Sequence, residues 1–363
     1  YPLRRQRQMC IRDRSVWNYA HGDAGIILNA KDPDQARQHP DDYVKGISES
    51  VKGALKDASS DKRFSADNII GIGVDATGST PMPVDENGDS LASKPPFRSN
   101  PSAMAWLWKD HTGHAAAEEI TRLAEQKRPQ YLAKCGGTYS AEWFWSKLLH
   151  CLRVSPEVIE AAYTWVEIAD WIPAILTGNT KPGNIKRGIC QAGHKAMFNP
   201  SWNGYPDAEF VGALDERLVR IRRTLPDKAY NIADTAGTLT QEWARELGLP
   251  AGIPVAVGAL DAHFGAVGSG IVPGVLVKII GTSTCDMLVA PMDHELPDIP
   301  GLCGIVPESI LPGAYGLEAG QSAVGDIFNW FVNYIKPGGD SKGTHEALTG
   351  EAEKIKPGES GLL

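Results

Sequence analysis

The stretch from Pro254 to Leu288 constrains this chain more than any other, because it alternates short apolar runs with glycines and sets one acid just past the first run. Val255-Ala256-Val257 ends at Gly258, and Asp261 follows within a turn. Gly265, Gly268 and Gly270 space the next segment. Two apolar runs, Val275 to Ile280 and Met287 to Ala290, then flank the polar turn Gly281-Thr282-Ser283-Thr284-Cys285-Asp286. A strand that delivers a carboxylate, followed by a hairpin with a glycine and hydroxyls at its tip, suits phosphoryl transfer. The acid can orient or deprotonate a hydroxyl, and the tip can offer backbone N–H groups to phosphate oxygens. The same pattern reads equally as a buried strand and an ordinary hairpin.

At 363 residues the chain has room for two domains, since single cores stop growing near ~250–300 residues. Its 42% hydrophobic and 22% charged content is that of a soluble globular protein. A net charge of −8 argues against a nucleic-acid binder, which would carry a basic face. A phosphorylated ligand would therefore be held by local lysines, amides or a metal ion. Cys10, Cys135, Cys151, Cys190, Cys285 and Cys303 form no CxxC pair. They read as reduced thiols of a cytoplasmic protein, not as a disulfide frame or a zinc site. No apolar run approaches the ~20 residues needed to cross a membrane, so no membrane partner is expected. Residues 1–14 are basic and lack the apolar core of a secretion signal. They share no apolar periodicity with the residues after them and are expected to lie outside the native fold.

In order along the chain, Val44, Ile47, Val51 and Leu55 share a helical face, with Asp41 as its expected N-cap. Asn68 to Val74 reads as a strand ending in Asp75-Ala76-Thr77-Gly78-Ser79-Thr80, and α/β proteins place ligands at such strand ends. The alternative is a polar turn, which Pro81, Pro83 and Asn87-Gly88 also mark. Trp106 and Trp108 lie on one side if their segment is a strand. A tryptophan there can pack on a sugar, though core is the more frequent fate. Ser140 to Arg153 predicts a helix capped by Ser140. Residues 158–177 continue in helical fashion, with a kink or break at Pro173 and an end at Gly178. Lys195 and His194 stand together in CQAGHKA (190–196). A further helix runs from Gln241 to Leu247, and Glu318 precedes another that carries Ala323, Ile327, Trp330, Phe331 and Tyr334. No repeat or low-complexity tract is present.

Seven motifs together carry a resemblance: GIGVDATGSTP (71–81), LWKDHT (107–112), AEWFW (141–145), CQAGHKA (190–196), GALDAHFGAVGSG (258–270), VKIIGTSTCDML (277–288) and GLEAGQSAVGDIF (316–328). In this order they resemble the ribulokinase branch of the FGGY carbohydrate kinases, from about Ser15 to the last residue. The GxxD acid and GTS turn are shared across that family. The WKDH, AGHKA and GTSTCD wording points to the ribulokinase branch.

The resemblance implies an α/β fold of the ribonuclease H-like, actin and hexokinase type. An N-terminal sugar-binding lobe would span 15–268, and the start of a C-terminal nucleotide-binding lobe 269–363. It implies ATP-dependent phosphorylation of L-ribulose to L-ribulose 5-phosphate in L-arabinose catabolism, with Mg²⁺ accompanying ATP although no metal-ligand spacing marks a site. Sugar and ATP would be the partners, without nucleic acid or membrane, and homo-oligomerisation is compatible with it. By position, Asp261 matches the general base. Trp108, Lys195, Glu318 and Asp261 match the sugar site, joined by Thr77, Gly78 and Ser79 at the strand end. Gly281, Thr282 and Ser283 match the turn facing the ATP phosphates. The chain departs from the family in lacking an opening DxGT hairpin and in stopping before the adenosine-binding segment. It therefore reads as a fragment with an incomplete second lobe. Two alternatives stand beside this: a family kinase for xylulose, another ketopentose or a polyol, and a non-catalytic sugar-binding module.

Overall fold

The computed structural model describes residues 13–361 apart from Thr282, His294 and Pro357. In chain order, β1 (Ile27–Asn29) and β2 (Asp32–Gln38) lead into helix α1 (Pro40–Ala58), and β3 (Asp75–Ala76), β4 (Pro81–Val84) and β5 (Ala105–Trp106) are short. Helices α2 (His114–Lys127), α3 (Pro129–Ala133), α4 (Phe144–Val154) and α5 (Pro156–Ala161) follow, then β6 (Thr164–Glu167), α6 (Ile168–Thr177) and α7 (Ile189–Ala196). After α8 (Ala208–Leu214) and α9 (Glu216–Arg222) come β7 (Thr235–Thr238), α10 (Gln241–Leu247), β8 (Pro254–Ala256), β9 (Ala259–Leu260) and α11 (Asp261–Gly268). The last part holds β10 (Val277–Ile280), β11 (Thr284–Pro291), β12 (Gly304–Pro307), β13 (Ala314–Gln321), α12 (Gly325–Trp330) and α13 (His345–Ala352).

The expected helices at α1 and α10 form where apolar spacing places them, and Gly178 and Gly248 close α6 and α10 in the left-handed conformation. Details differ for identifiable reasons. His39, not Asp41, is the N-cap of α1: its ring accepts the Asp41 N–H at 3.2 Å, with Pro40 at the first helical position. Tyr43 occupies the buried stripe and Val44 is exposed. Helix α4 starts at Phe144, because the Ser140 hydroxyl accepts from Glu142 N–H and closes a separate turn ahead of it. The run 158–177 contains strand β6, whose β-branched and aromatic residues pair with β4. Every residue of β6 is buried, and a strand covered on both faces shows no period-2 signature. Pro173 sits inside α6.

The Asn68–Val74 run is not a regular strand. Ile72 donates to Pro254 O and accepts from Ala256 N–H, both at 2.9 Å. Its other edge has no partner strand among the described residues, and Ile70 is left 85% exposed. Regular pairing starts only at β3, which runs parallel to β9.

The largest apolar cluster is walled by α2 to α5, α8 and α9, and is built on Trp106, Trp145, Trp165, Leu148 and Phe210. A second joins Tyr43, Met82, Val166, Trp171 and Val255 across α1, β4, β6, α6 and β8. A third lies under the antiparallel sheet β10-β11-β13-β12, where Met287, Val289 and Val277 meet Ala266 of α11. No helix among the described residues is long and apolar enough to cross a membrane.

Helix α7 and strand β12 join the two parts of the chain, and two glycines set their approach. A Cβ on Gly193 would overlap the Val306 side chain, and one on Gly304 would overlap the His194 ring. His194 cannot swing away, because its Nε2 is hydrogen-bonded to Ser309 Oγ at 2.9 Å and the ring is buried. Gly304→Ala is therefore expected to destabilise the fold by about 1–3 kcal/mol through overpacking. Urea denaturation of the variant should show a lowered midpoint, and an unchanged midpoint would remove this contact as a constraint.

Candidate active site

Residues far apart in sequence converge on one cavity of about 590 Å³. Gly78, Trp108, Lys195, Ser283 and Glu318 of the expected site line it. Each arrives on a different element. Trp108 stands in the turn just past β5, so it projects where Trp106 cannot. Trp106 is fully buried and belongs to the core. Lys195 ends helix α7, and Glu318 sits in the interior of β13, between β11 and β12. This corrects the expectation that Glu318 precedes a helix: α12 begins seven residues later, by the difference of 325 and 318. That helix leaves Ile327 and Trp330 exposed rather than buried.

Glu318 is the electrostatic centre. Its Oε1 accepts from Lys195 Nζ at 2.8 Å, and its Oε2 lies 3.1 Å from His194 Nδ1 and 3.4 Å from His263 Nε2. Burial alone would raise its pKa, but Lys195, His194 and His263 outweigh burial and hold the carboxyl well below its usual range. Burial likewise opposes the charge on Lys195, and Glu318 outweighs it, so the ammonium is raised and stays protonated. Burial also opposes His263, whose pKa is nevertheless pushed up to about 10 by Cys190 and Glu318. His194 is held well below its ordinary value, chiefly by burial. The Ser309 hydroxyl lies 2.9 Å from His194 Nε2 and 3.1 Å from Val306 O. The carboxylate Oε1 is thus satisfied by Lys195, while Oε2 faces the two imidazoles as a charge partner without a hydrogen bond.

His194, His263 and Glu318 bring their ligand atoms within 4.8 Å of one another and have the geometry of a metal group. Two imidazoles and one carboxylate already neutralised by lysine do not suit Mg²⁺, which takes oxygen ligands and keeps its waters. Oxygen donors of that kind stand instead at Asp75 and Asp261, which lie at the adjacent parallel strands β3 and β9.

Asp261 opens α11, where the helix N-terminus favours an anion. It lies outside the cavity's immediate lining. Burial and then the Asp75 carboxylate raise its pKa, while its own Oδ1 accepts from Ala262 N–H at 2.8 Å. Gly78 brings its loop close to this acid, for a Cβ there would overlap the Leu260 side chain that precedes Asp261.

Three expected residues make hydrogen bonds within the protein. The Ser79 hydroxyl donates to Glu167, and Ser79 is buried away from the cavity. Thr77 Oγ1 bonds to Thr80 Oγ1 at 3.1 Å. The hairpin turn forms between β10 and β11 as expected, but the Gly281 N–H donates to Ser283 O at 2.8 Å and closes the turn on itself. Ser283 faces the cavity, and Thr282 lies outside the described residues.

The structure adds groups that the sequence did not single out. His111 and Glu142 pair across the wall at 3.1 Å. The hydrogen bond to Glu142 raises His111. Burial would raise Glu142 in turn, but His111 outweighs it and the net shift is downward. Trp143 lies 5.7 Å from the Lys195 ammonium. Cys285 and Cys303 also line the cavity, and burial pushes both thiols up to about 12, so they stay protonated. All five described cysteines are free, and Cys10 lies outside the described residues.

Residues 13–268 match the model of the FGGY family of carbohydrate kinases, N-terminal domain, and residues 276–355 match its C-terminal domain. A protein named ribulokinase from Vibrio parahaemolyticus is 45% identical over 83% of this chain. Another from Shouchella clausii is 39% identical over 96% of it. The chain spans 53% and 62% of the length of those two proteins. Among solved structures, xylulose kinase from Rhodospirillum rubrum superposes with a TM-score of 0.68 at 21% identity, over 92% of this chain and 62% of that one. Glycerol kinase from Plasmodium falciparum superposes at 0.63 and 15%, over 85% and 57%. The fold is accordingly the α/β, two-domain, actin and hexokinase type that the motifs implied. This chain belongs to the FGGY family of carbohydrate kinases.

Proposed function

We propose that this chain carries the sugar site and the phosphate turn of an ATP-dependent kinase that converts L-ribulose to L-ribulose 5-phosphate, as a step of L-arabinose catabolism. The observation that carries the reading is the convergence of Trp108, Lys195, Glu318, Gly78 and Ser283 on one cavity. The relatives at 45% and 39% identity named ribulokinase favour this sugar over xylulose, since the structural neighbour named xylulose kinase is 21% identical.

In this reading the Trp108 ring packs on the sugar's C–H face. Lys195 and Glu318 form a fixed donor and acceptor for its hydroxyls, each locked by the other. Asp261 accepts the proton of the attacking hydroxyl and holds it in line with the γ-phosphate. Mg²⁺ bound with ATP would offset phosphate charge, with Asp75 and Asp261 as the fitting oxygen groups. Ser283 faces the phosphates, and the turn offers fewer free amides than its glycine suggests, because the Gly281 N–H is already engaged.

Asp261→Asn, in a chain spanning the full length of the family's kinases, is expected to lower turnover roughly 100- to 10,000-fold with little loss of sugar affinity. Near-normal turnover would remove Asp261 from the base role. The pH profile gives an independent reading. A general base works as the carboxylate, and Asp261 is raised above 3.8 by burial and by Asp75. The rate is therefore full above the raised value and falls as pH drops through it, at a higher pH than an aspartate of ordinary pKa would set. Asp75→Asn removes the like charge and should move that acid limb to lower pH. A limb that stays in place would dissociate it from Asp261. A phosphorylation assay across ketopentoses and pentitols decides the sugar: L-ribulose should give the highest kcat/KM, and preference for xylulose or a polyol would overturn the assignment. Sugar binding without phosphorylation or ATP binding would favour a non-catalytic module.

A further inference from the structure

Lys147 is fully buried on helix α4, and nothing in its sequence context sets it apart from a surface lysine. Its Nζ donates to three backbone carbonyls: Ser79 O at 2.6 Å, Leu107 O at 2.8 Å and Trp106 O at 3.3 Å. Three carbonyl oxygens thus converge on one buried amine, whose pKa burial lowers to about 7. No carboxylate forms an ion pair with it among the described residues.

Those carbonyls belong to two separate segments. Ser79 directly follows Gly78, and Trp106 and Leu107 directly precede Trp108. Gly78 and Trp108 are both cavity walls. A buried carboxyl completes the arrangement on the first segment, where Glu167 accepts from the Ser79 hydroxyl and from Thr80 N–H at 2.6 Å. The same helix reaches a third wall. Trp145 Nε1 donates to Ala196 O at 3.0 Å, immediately beside Lys195, and Trp145 N–H donates to Tyr139 OH, which in turn donates to Lys195 O at 2.7 Å.

We propose that Lys147 is a positioning residue for the sugar cavity, an internal hydrogen-bond donor that ties the Gly78 loop and the Trp108 segment together so that their walls keep a fixed separation. It touches no reacting atom. Its contribution is registry, and a misplacement of about 1 Å in such a wall is enough to cost around 100-fold in a site that depends on orientation. The proposal rests on the sugar reading given above for its function, while the tie itself is independent of any ligand.

The test uses Lys147→Met in the 363-residue chain, a change close in volume that removes the amine and its hydrogen bonds. Hydrogen exchange measured by mass spectrometry should speed up at both 77–80 and 106–109, with helix α2 unchanged. The L-ribulose dissociation constant, measured by calorimetry, should rise about 10-fold or more. Exchange that rises equally in α2, or in neither loop, overturns the tie. Faster loops with an unaltered dissociation constant overturn the positioning role. If the variant does not fold, the unaltered chain decides: saturating L-ribulose should slow exchange at both loops together, and slowing at one alone counts against the proposal. Glu167→Gln should loosen 77–80 and leave 106–109 as it is; loosening of both would assign the tie to Glu167 instead. A chain that binds no ketopentose overturns the functional reading, and the two loops in Lys147→Met then decide the tie alone.

Discussion

One buried carboxylate orders the middle of this molecule. Glu318 lies in an interior strand of the C-terminal sheet, yet its partners Lys195, His194 and His263 all come from helices of the N-terminal part. An unpaired carboxylate at that depth would cost several kcal/mol, and removing one partner of a buried pair typically costs about 3–5 kcal/mol. The two parts of the chain are therefore held in register by the need to satisfy one charge. Gly193 and Gly304 permit the approach that makes it possible, since a side chain at either would separate α7 from β12.

The cavity follows from that register. Because Lys195 and Glu318 hold one another, the wall presents a donor and an acceptor in fixed places. The chain as a whole, at net charge −8, draws no phosphate by its overall field. Buried ionisable groups elsewhere act in the same way. Lys147 and Glu167 fix the backbone of the loops around the cavity through its carbonyl and amide groups.

Much of the chain could be read in advance. The helices at 40–58 and 241–247 follow apolar spacing, and the hairpin of β10 and β11 follows its glycine turn. Two of the misses, β6 and Glu318, share a physical cause, which is burial on every side. Strand β6 lies inside a run that looks helical because all four of its residues are covered. Glu318 is a mid-strand residue hidden by the polar segment after it. Trp106 and Trp108 look alike in sequence, and only the end of β5 between them sends one to the core and the other to the cavity.

Motif identity and order by themselves determined the family and singled out Gly78, Trp108, Lys195, Ser283 and Glu318 among the residues that line the cavity. What only the tertiary structure decided is which polar groups remain available for a ligand. The hydroxyls of Ser79 and Thr77 and the amide of Gly281 are engaged within the protein. The reason is that hydrogen-bonding capacity is allotted by three-dimensional neighbours: Glu167 stands 88 residues from Ser79 along the chain, and Glu318 stands 123 from Lys195. No local spacing encodes those distances. The packing of β6, α4 and β13 against the loops does.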